Sequence, residues 1–243
     1  MLTRKLINVI STDMENLLLK YMGERLEFSS AKYKHQGPVI TISRESGCPG
    51  NLVAELLVNK LNHKMMADGY PPKWKWLNKE ILQKASEELK MNQRDVESYV
   101  KAKEISMLHD LVASFTESYH VRNAKIKKVI HDLIRNLAVE GHVIIVGRGG
   151  GAIAWDIPKS LHLYLEAPLT WKTNMVSTQK GISLSEARKL ILERDMQRMK
   201  FRDSYRTKFS DEIYYHERFN CKSLTSEQIC ELAFQAAELK KLV

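Results

Sequence analysis

Three short apolar runs punctuate the chain: Val39-Ile40-Thr41-Ile42-Ser43, Val143-Ile144-Ile145-Val146 and Leu161-His162-Leu163-Tyr164-Leu165. The first two are rich in β-branched side chains, and the runs are set off by turn residues, which predicts strands buried on both faces. Elsewhere the apolar positions recur at helical spacing. Leu52, Val53, Leu56, Leu57 and Leu61 share one face of a helix that follows the first run. Residues 65–140 read as mostly helical, with helices over 78–90, 93–118 and 122–140, the last stopped by Gly141. Tyr70-Pro71-Pro72 and the Trp74/Trp76 pair make the approach to that region irregular. Ser183 and Glu186 have capping-box spacing and predict a long helix reaching about Arg206. Thr225 and Gln228 start a terminal helix in the same way, with Ile229, Leu232, Ala233 and Ala236 on one face. Strands alternating with helices predict an α/β fold, a parallel sheet flanked by helices.

The N-terminal part follows a different pattern. Ile7, Ile10, Met14, Leu17 and Tyr21 alternate three and four apart, and Leu6 and Leu18 widen the stripe. This predicts a helical extension over about 3–22. It is short for a coiled coil, so the expectation is packing on the body or on a second copy as a homodimer. Residues 23–37 are polar and end in Gly37-Pro38, which reads as a linker. The boundaries are therefore 1–37 for helix and linker and 38–243 for the main domain.

Composition excludes several classes. At 44% hydrophobic and 28% charged residues the chain is neither disordered nor collagen-like. No apolar run approaches the ~20 residues of a membrane span, and Ser11, Asp13, Glu15 and Asn16 break any signal-peptide pattern. A cytoplasmic protein with no membrane partner is expected. Cys48, Cys221 and Cys230 are odd in number and widely spaced, so neither a disulfide framework nor a cysteine zinc site is indicated. The histidines form no H-x-x-x-H pair, so no metal ligands are assigned. The net charge of +9 changes the picture: it suits a polyanionic ligand, either a nucleotide phosphate, an RNA or an acidic surface, although surplus lysine also serves solubility. Nucleic acid is allowed rather than favoured. Trp74 and Trp76 amid lysines could stack bases, but core or cleft packing suits them better.

The segment Arg44-Glu45-Ser46-Gly47-Cys48-Pro49-Gly50-Asn51 joins a strand to a helix N-terminus, where backbone N–H groups and the helix dipole attract phosphate. Against the G-x-x-x-x-G-K-[ST] pattern, Gly50 stands at the lysine and Asn51 at the hydroxyl residue, while Pro49 removes a donor. The loop is expected to hold an anion and to support chemistry poorly. A turn serving backbone geometry alone is the other reading. Arg148, in Gly147-Arg148-Gly149-Gly150-Gly151, follows a buried strand at the sheet's ligand-binding end and has the planar fork that fits phosphate. It could also cap neighbouring carbonyls. The glycines after it read as a flexible turn. Arg194, Arg198 and Arg202 recur every fourth residue on one helix face, either to stabilise a transferring phosphoryl group or as a solvated row with Glu193, Asp195 and Asp203 as partners. Cys48 lies near a helix N-terminus, which would lower its pKa, but a loop-filling thiol is the preferred reading.

Ordered along the chain, these segments resemble the cytidylate kinase-like family, relatives of cytidylate kinase among the nucleoside monophosphate kinases. Ile42-Ser43-Arg44-Glu45-Ser46-Gly47-Cys48-Pro49-Gly50 is similar to its I-S-R-E-x-G-S-G-G loop, Val146-Gly147-Arg148-Gly149 to its V-G-R-G, and Tyr164-Leu165-Glu166-Ala167-Pro168-Leu169 to its A-P-L stretch. Trp76-Leu77-Asn78-Lys79-Glu80-Ile81 is similar to Y-D-K-E-I, and Glu193-Arg194-Asp195 through Arg202 to the arginine-rich lid. The resemblance implies a P-loop kinase body with a helical monophosphate-binding region over 65–140 and a helical lid over 170–210. It further implies transfer of phosphate from ATP, with Mg²⁺, to a nucleoside monophosphate such as CMP. In that reading Ser46, Gly47, Cys48, Gly50 and Asn51 cradle the donor phosphates. Arg148 and Gly149 take the acceptor phosphate, and Arg44, Arg194, Arg198 and Arg202 act on the transferred group. A non-catalytic nucleotide-binding or regulatory protein on the same fold is the alternative, and a basic RNA-binding or scaffold protein the third. Lys172 is a further cation near the lid, where Met175 replaces a family arginine. His216-Glu217-Arg218 stands where the family's last strand is apolar, which predicts either an exposed strand or a different alignment.

Overall fold

A computed structural model describes residues 37–78, 124–205 and 215–243. The helices expected over 3–22, 78–90 and 93–118, and the lid beyond 205, lie outside the described residues. Five strands, β1 Val39–Arg44, β2 Lys75–Leu77, β3 Val143–Val146, β4 Ser160–Glu166 and β5 Glu217–Asn220, form a parallel sheet in the order β2-β3-β1-β4-β5. Around it lie α1 Gly50–Ala67, α2 Ala124–Glu140, α3 Gly150–Ile153, α4 Leu169–Lys180, α5 Leu184–Asp203 and α6 Ser226–Leu239. β1 is central, and Val39 is in register with both Val143 of β3 and Ser160 of β4.

One face of the sheet carries the main core. Ile40, Ile42, Ile144 and Leu163 pack with Leu57 and Leu61 of α1 and with Ile229 and Ala233 of α6. Completely enclosed leucines of this kind each contribute roughly 2 kcal/mol by removal from water. On the other face, α3 lies against β1 and β3. A Cβ at Gly150 would stand 3.1 Å from Ile145 Cγ2, and one at Gly151 3.4 Å from Thr41 Oγ1. The glycine run read as a flexible turn is instead a buried helical turn that sits on the sheet because it has no side chains there. A smaller cluster, Val176, Ala187 and Ile191, joins α4 to α5. The Ser183 cap starts α5: the Glu186 N–H donates to Ser183 Oγ at 3.2 Å, and the Ser183 N–H to Glu186 Oε2 at 2.9 Å.

Three further features depart from the sequence expectation or refine it. Residues 75–77 form β2, paired with β3 through Trp76 and Ile144, where the sequence reading had only an irregular stretch. β5 is an exposed edge strand with only Phe219 turned inward, which is the first of the two readings of His216-Glu217-Arg218. Gly37 is no free linker. Its N–H donates to Val139 O at 2.9 Å, and its backbone abuts Gly141, whose φ of +85° ends α2. The three cysteines are free thiols. No helix among the described residues is long and apolar enough to cross a membrane.

β4 also buries a histidine. His162 Nδ1 pairs with Thr41 Oγ1 at 2.8 Å, its ring stacks on His216 at 5.1 Å, and its backbone N–H donates to His216 Nδ1 at 2.9 Å. Burial, with the neighbouring His216 and Lys240, pushes the His162 pKa down to about 3. Below a pH of about 6.5 the unfolded chain protonates this residue while the folded chain does not, so folding loses stability as pH falls toward 3. Denaturant titrations between pH 7 and pH 4 should therefore show stability falling by about 1 kcal/mol per pH unit from this group. The slope should be shallower in His162→Gln; an unchanged slope would mean that other groups cause the acid sensitivity.

Candidate functional site

The loops after β1 and β3 leave the sheet at its carboxyl edge, where open parallel sheets bind ligands. The Glu45 N–H donates to Leu165 O at 2.9 Å, that of Cys48 to Glu45 O at 3.3 Å, and that of Gly50 to Cys48 O at 2.9 Å. The Ser46 N–H donates to the Asp195 carboxylate, 2.7 Å from Oδ1. The N–H groups of Gly47, Asn51 and Leu52 have no partner among the described residues, and Pro49 has none to give. Free donors at the start of α1 suit an anion. Gly47, at φ +84°, presses on α4: a Cβ there would stand 3.4 Å from Val176 Cγ2.

Arg44 ties this loop to the second one. Its Cγ lies where a Gly50 side chain would begin, 3.2 Å from that Cβ position, and its Nη1 fills the space that a Gly147 side chain would need. Glycine is therefore required at 147 for two reasons, the room taken by the guanidinium and a φ of +81°. In the second loop Arg148 is buried with φ +54°, a left-handed conformation uncommon for a residue with a side chain. Its guanidinium carbon lies 6.0 Å from the Phe201 ring centroid. Gly149 is equally close to the end of α5, since a Cβ there would stand 2.9 Å from Tyr205 Cδ2.

Between the first loop and the helices α4 and α5 sits a buried ammonium. Lys172 Nζ donates to Glu45 Oε2 at 2.8 Å and to Asp195 Oδ2 at 3.1 Å. Burial acts to lower its pKa, but the hydrogen bonds and charges of the two carboxylates outweigh that and raise it. Glu45 Oε2 also accepts the Ala167 N–H at 3.2 Å, which fixes the loop to the end of β4. Of the arginine row, Arg198 reaches the loop: Nη1 donates to Arg44 O at 3.3 Å and Ser46 Oγ at 3.4 Å. Arg202 turns to Tyr215 Oη at 3.2 Å and to Asp203 at 3.3 Å. Arg194, half-buried, makes no hydrogen bond or ion pair with any described residue. The row thus divides, with one member on the loop and one on the β5 side.

With this geometry in hand, residues 39–223 match the cytidylate kinase-like family. The chain belongs to that family. Its sheet order is β2-β3-β1-β4-β5, with a glycine-bearing loop between β1 and α1. A solved structure of an uncharacterized protein from Eubacterium ventriosum ATCC 27560 is 20% identical over 83% of this chain and 98% of that one, with a TM-score of 0.57. TT1252 from Thermus thermophilus is 16% identical over 86% and 100% of the two chains, with a TM-score of 0.45. Shikimate kinase from Bacteroides thetaiotaomicron is 14% identical over 84% and 97%, with a TM-score of 0.40. No curated protein matches the chain.

Two members of the site, Asp195 and Glu45, were not singled out by sequence pattern, and Lys172 only as a nearby cation. Glu45 stands inside the loop motif, but its partner comes from a helix 127 residues later. Cys48 is the loop-filling thiol of the sequence reading, free and packed against the main core, without the lowered pKa a helix N-terminus would give. The adjacent Cys221 thiol, burial and the Glu45 charge all push its pKa up, outweighing any effect of the α1 N-terminus. Cys48 should consequently react with iodoacetamide at pH 7 more slowly than a free cysteine does, by mass-spectrometric labelling of the folded protein. Labelling at the rate of glutathione would show that the thiol is not held in this environment.

Proposed function

We propose that the protein is a cytidylate kinase-like phosphotransferase that moves the terminal phosphoryl group of ATP to a nucleoside monophosphate of the CMP type. The observation that carries this reading is the convergence of loop amides without a partner among the described residues, at Gly47, Asn51 and Leu52, with Lys172, Arg198 and Arg44 at the carboxyl end of β1. The amides suit the donor phosphates, and fixed cations suit the charge that spreads over the transferred group. Arg148 and Gly149, one loop away, are the residues for the acceptor phosphate. Among the described residues no group of His, Cys, Asp or Glu is arranged to hold a metal, and Glu45 and Asp195 are committed to Lys172. A Mg²⁺ ion arriving with ATP would take its ligands from phosphate and water rather than from these described residues.

A second reading, nucleotide binding without turnover, is favoured by one observation: Gly50 stands where P-loop kinases place lysine, and Pro49 removes a donor beside it. Radiolabelled ATP with a panel of nucleoside monophosphates separates the two. We expect measurable ATP binding with slow transfer, CMP being preferred. Binding with no transfer to any acceptor would establish the second reading, and absence of binding would remove both. Arg148→Ala should weaken CMP binding by ~10-fold or more, because one charge-assisted hydrogen-bond set is lost. Calorimetry with a melting curve as the folding control checks this, and equal affinity in variant and parent would take Arg148 out of the site.

A further inference from the structure

Asp195 is placed as a ligand would be. Three donors from three different elements converge on its carboxylate: the Ser46 N–H at 2.7 Å and Arg198 Nη1 at 3.5 Å on Oδ1, and Lys172 Nζ at 3.1 Å on Oδ2. The Lys172 side chain is 7% exposed, the Asp195 side chain 21% and that of Arg198 40%, so the ammonium is enclosed while solvent reaches the carboxylate and the guanidinium. A carboxylate oxygen and a phosphoryl oxygen make the same demand on such donors, charge-assisted bonds from an ammonium, a guanidinium and a backbone amide. The charges complete the argument. Lys172 and Arg198 supply two positive charges, and Glu45 and Asp195 cancel them. With Asp195 in place these three donors already face an anion; with Asp195 withdrawn they face an oxyanion position that has lost one negative charge.

We propose that Ser46 N–H, Lys172 and Arg198 form an oxyanion subsite for a phosphoryl oxygen, which Asp195 occupies from within and which a polyphosphate fills by displacing it. The inference rests on reading the 44–51 loop as a phosphate cradle, and it adds that α5 guards the cradle with its own anion. Asp195 and a phosphate oxygen cannot share the subsite, since two unshielded anions would then face each other at contact distance. Phosphate binding is therefore coupled to withdrawal of Asp195 from Ser46. Lys172 keeps Glu45 as a partner throughout, so removing Asp195 does not strand a buried charge.

Inorganic tripolyphosphate, which lacks base and sugar, is the probe. Titration calorimetry at fixed ionic strength compares the parent with Asp195→Asn and Asp195→Ala, with melting curves for each. Both variants should bind tripolyphosphate at least ~tenfold more tightly than the parent, a change of about 1.4 kcal/mol. Lys172→Met should bind it more weakly than the parent. Equal or weaker binding by both well-folded Asp195 variants overturns the proposal while leaving the cradle intact. No binding by any of the proteins, parent included, overturns the cradle reading and this proposal with it. A second measurement needs no variant. In the parent, saturating tripolyphosphate should shift the Ser46 amide and the Asp195 carboxyl carbon resonances together, and an unmoved Asp195 carboxyl signal overturns displacement.

Discussion

The Lys172 ammonium, enclosed with the carboxylates of Glu45 and Asp195, holds together three segments that the chain supplies at wide intervals. Removing an ammonium from water costs several kcal/mol, and attraction to two carboxylates in a poorly polarisable setting offsets it only while the geometry is kept. That condition propagates outward. Glu45 must stay against the end of β4, where it also accepts the Ala167 N–H, so the loop after β1 keeps its path. While Asp195 lies over that loop, as it does here, α5 is drawn onto the sheet's carboxyl edge rather than standing off in solvent. The apolar contacts between α4 and α5, Val176 with Ala187 and Ile191, then hold the two helices as one piece.

Because of this arrangement α5 touches both loops. Its middle meets the first loop through Asp195 and Arg198, and its end and the turn beyond it meet the second through Phe201 and Tyr205, against Arg148 and Gly149. Arg44 supplies the complementary link at the level of the sheet, running from Gly50 to Gly147. A change at either loop is therefore felt by the same helix. Coupling of this sort needs no long chain of intermediates, since one rigid element contacts both places directly.

Much of this framework was legible in the residues. β3 needed no more than the run Val143–Val146, since a strand buried on both faces leaves no polar position to blur its ends. The caps of α5 and α6 were equally plain from Ser183 with Glu186 and Thr225 with Gln228, whose bonds are local. β2 was not legible because it is three residues long and its lysine and tryptophan are only half-buried. At the site, the loop and Arg198 could be picked out from spacing. The roles of Asp195 and Lys172 could not, since Asp195 meets Ser46 across 149 residues and no local pattern encodes that meeting. A carboxylate one turn from an arginine reads as its surface partner, which Asp195 is in part, at 3.5 Å from Arg198. The helical rule gave the shorter-range half of its interactions.

The outer strands have a consequence for how such molecules behave at high concentration. Among the described residues the sheet ends on one side in β2, three residues long, and on the other in β5, where Glu217, Arg218 and Asn220 face solvent and Phe219 alone turns inward. Arg218 is further engaged by Glu166 on the adjacent strand and lies 4.7 Å over the Tyr164 ring. A short rim and a charged, side-chain-covered rim are both poor templates for an incoming strand from another molecule. The same polar residues that obscure β5 in the sequence thus guard the sheet against edge-to-edge aggregation.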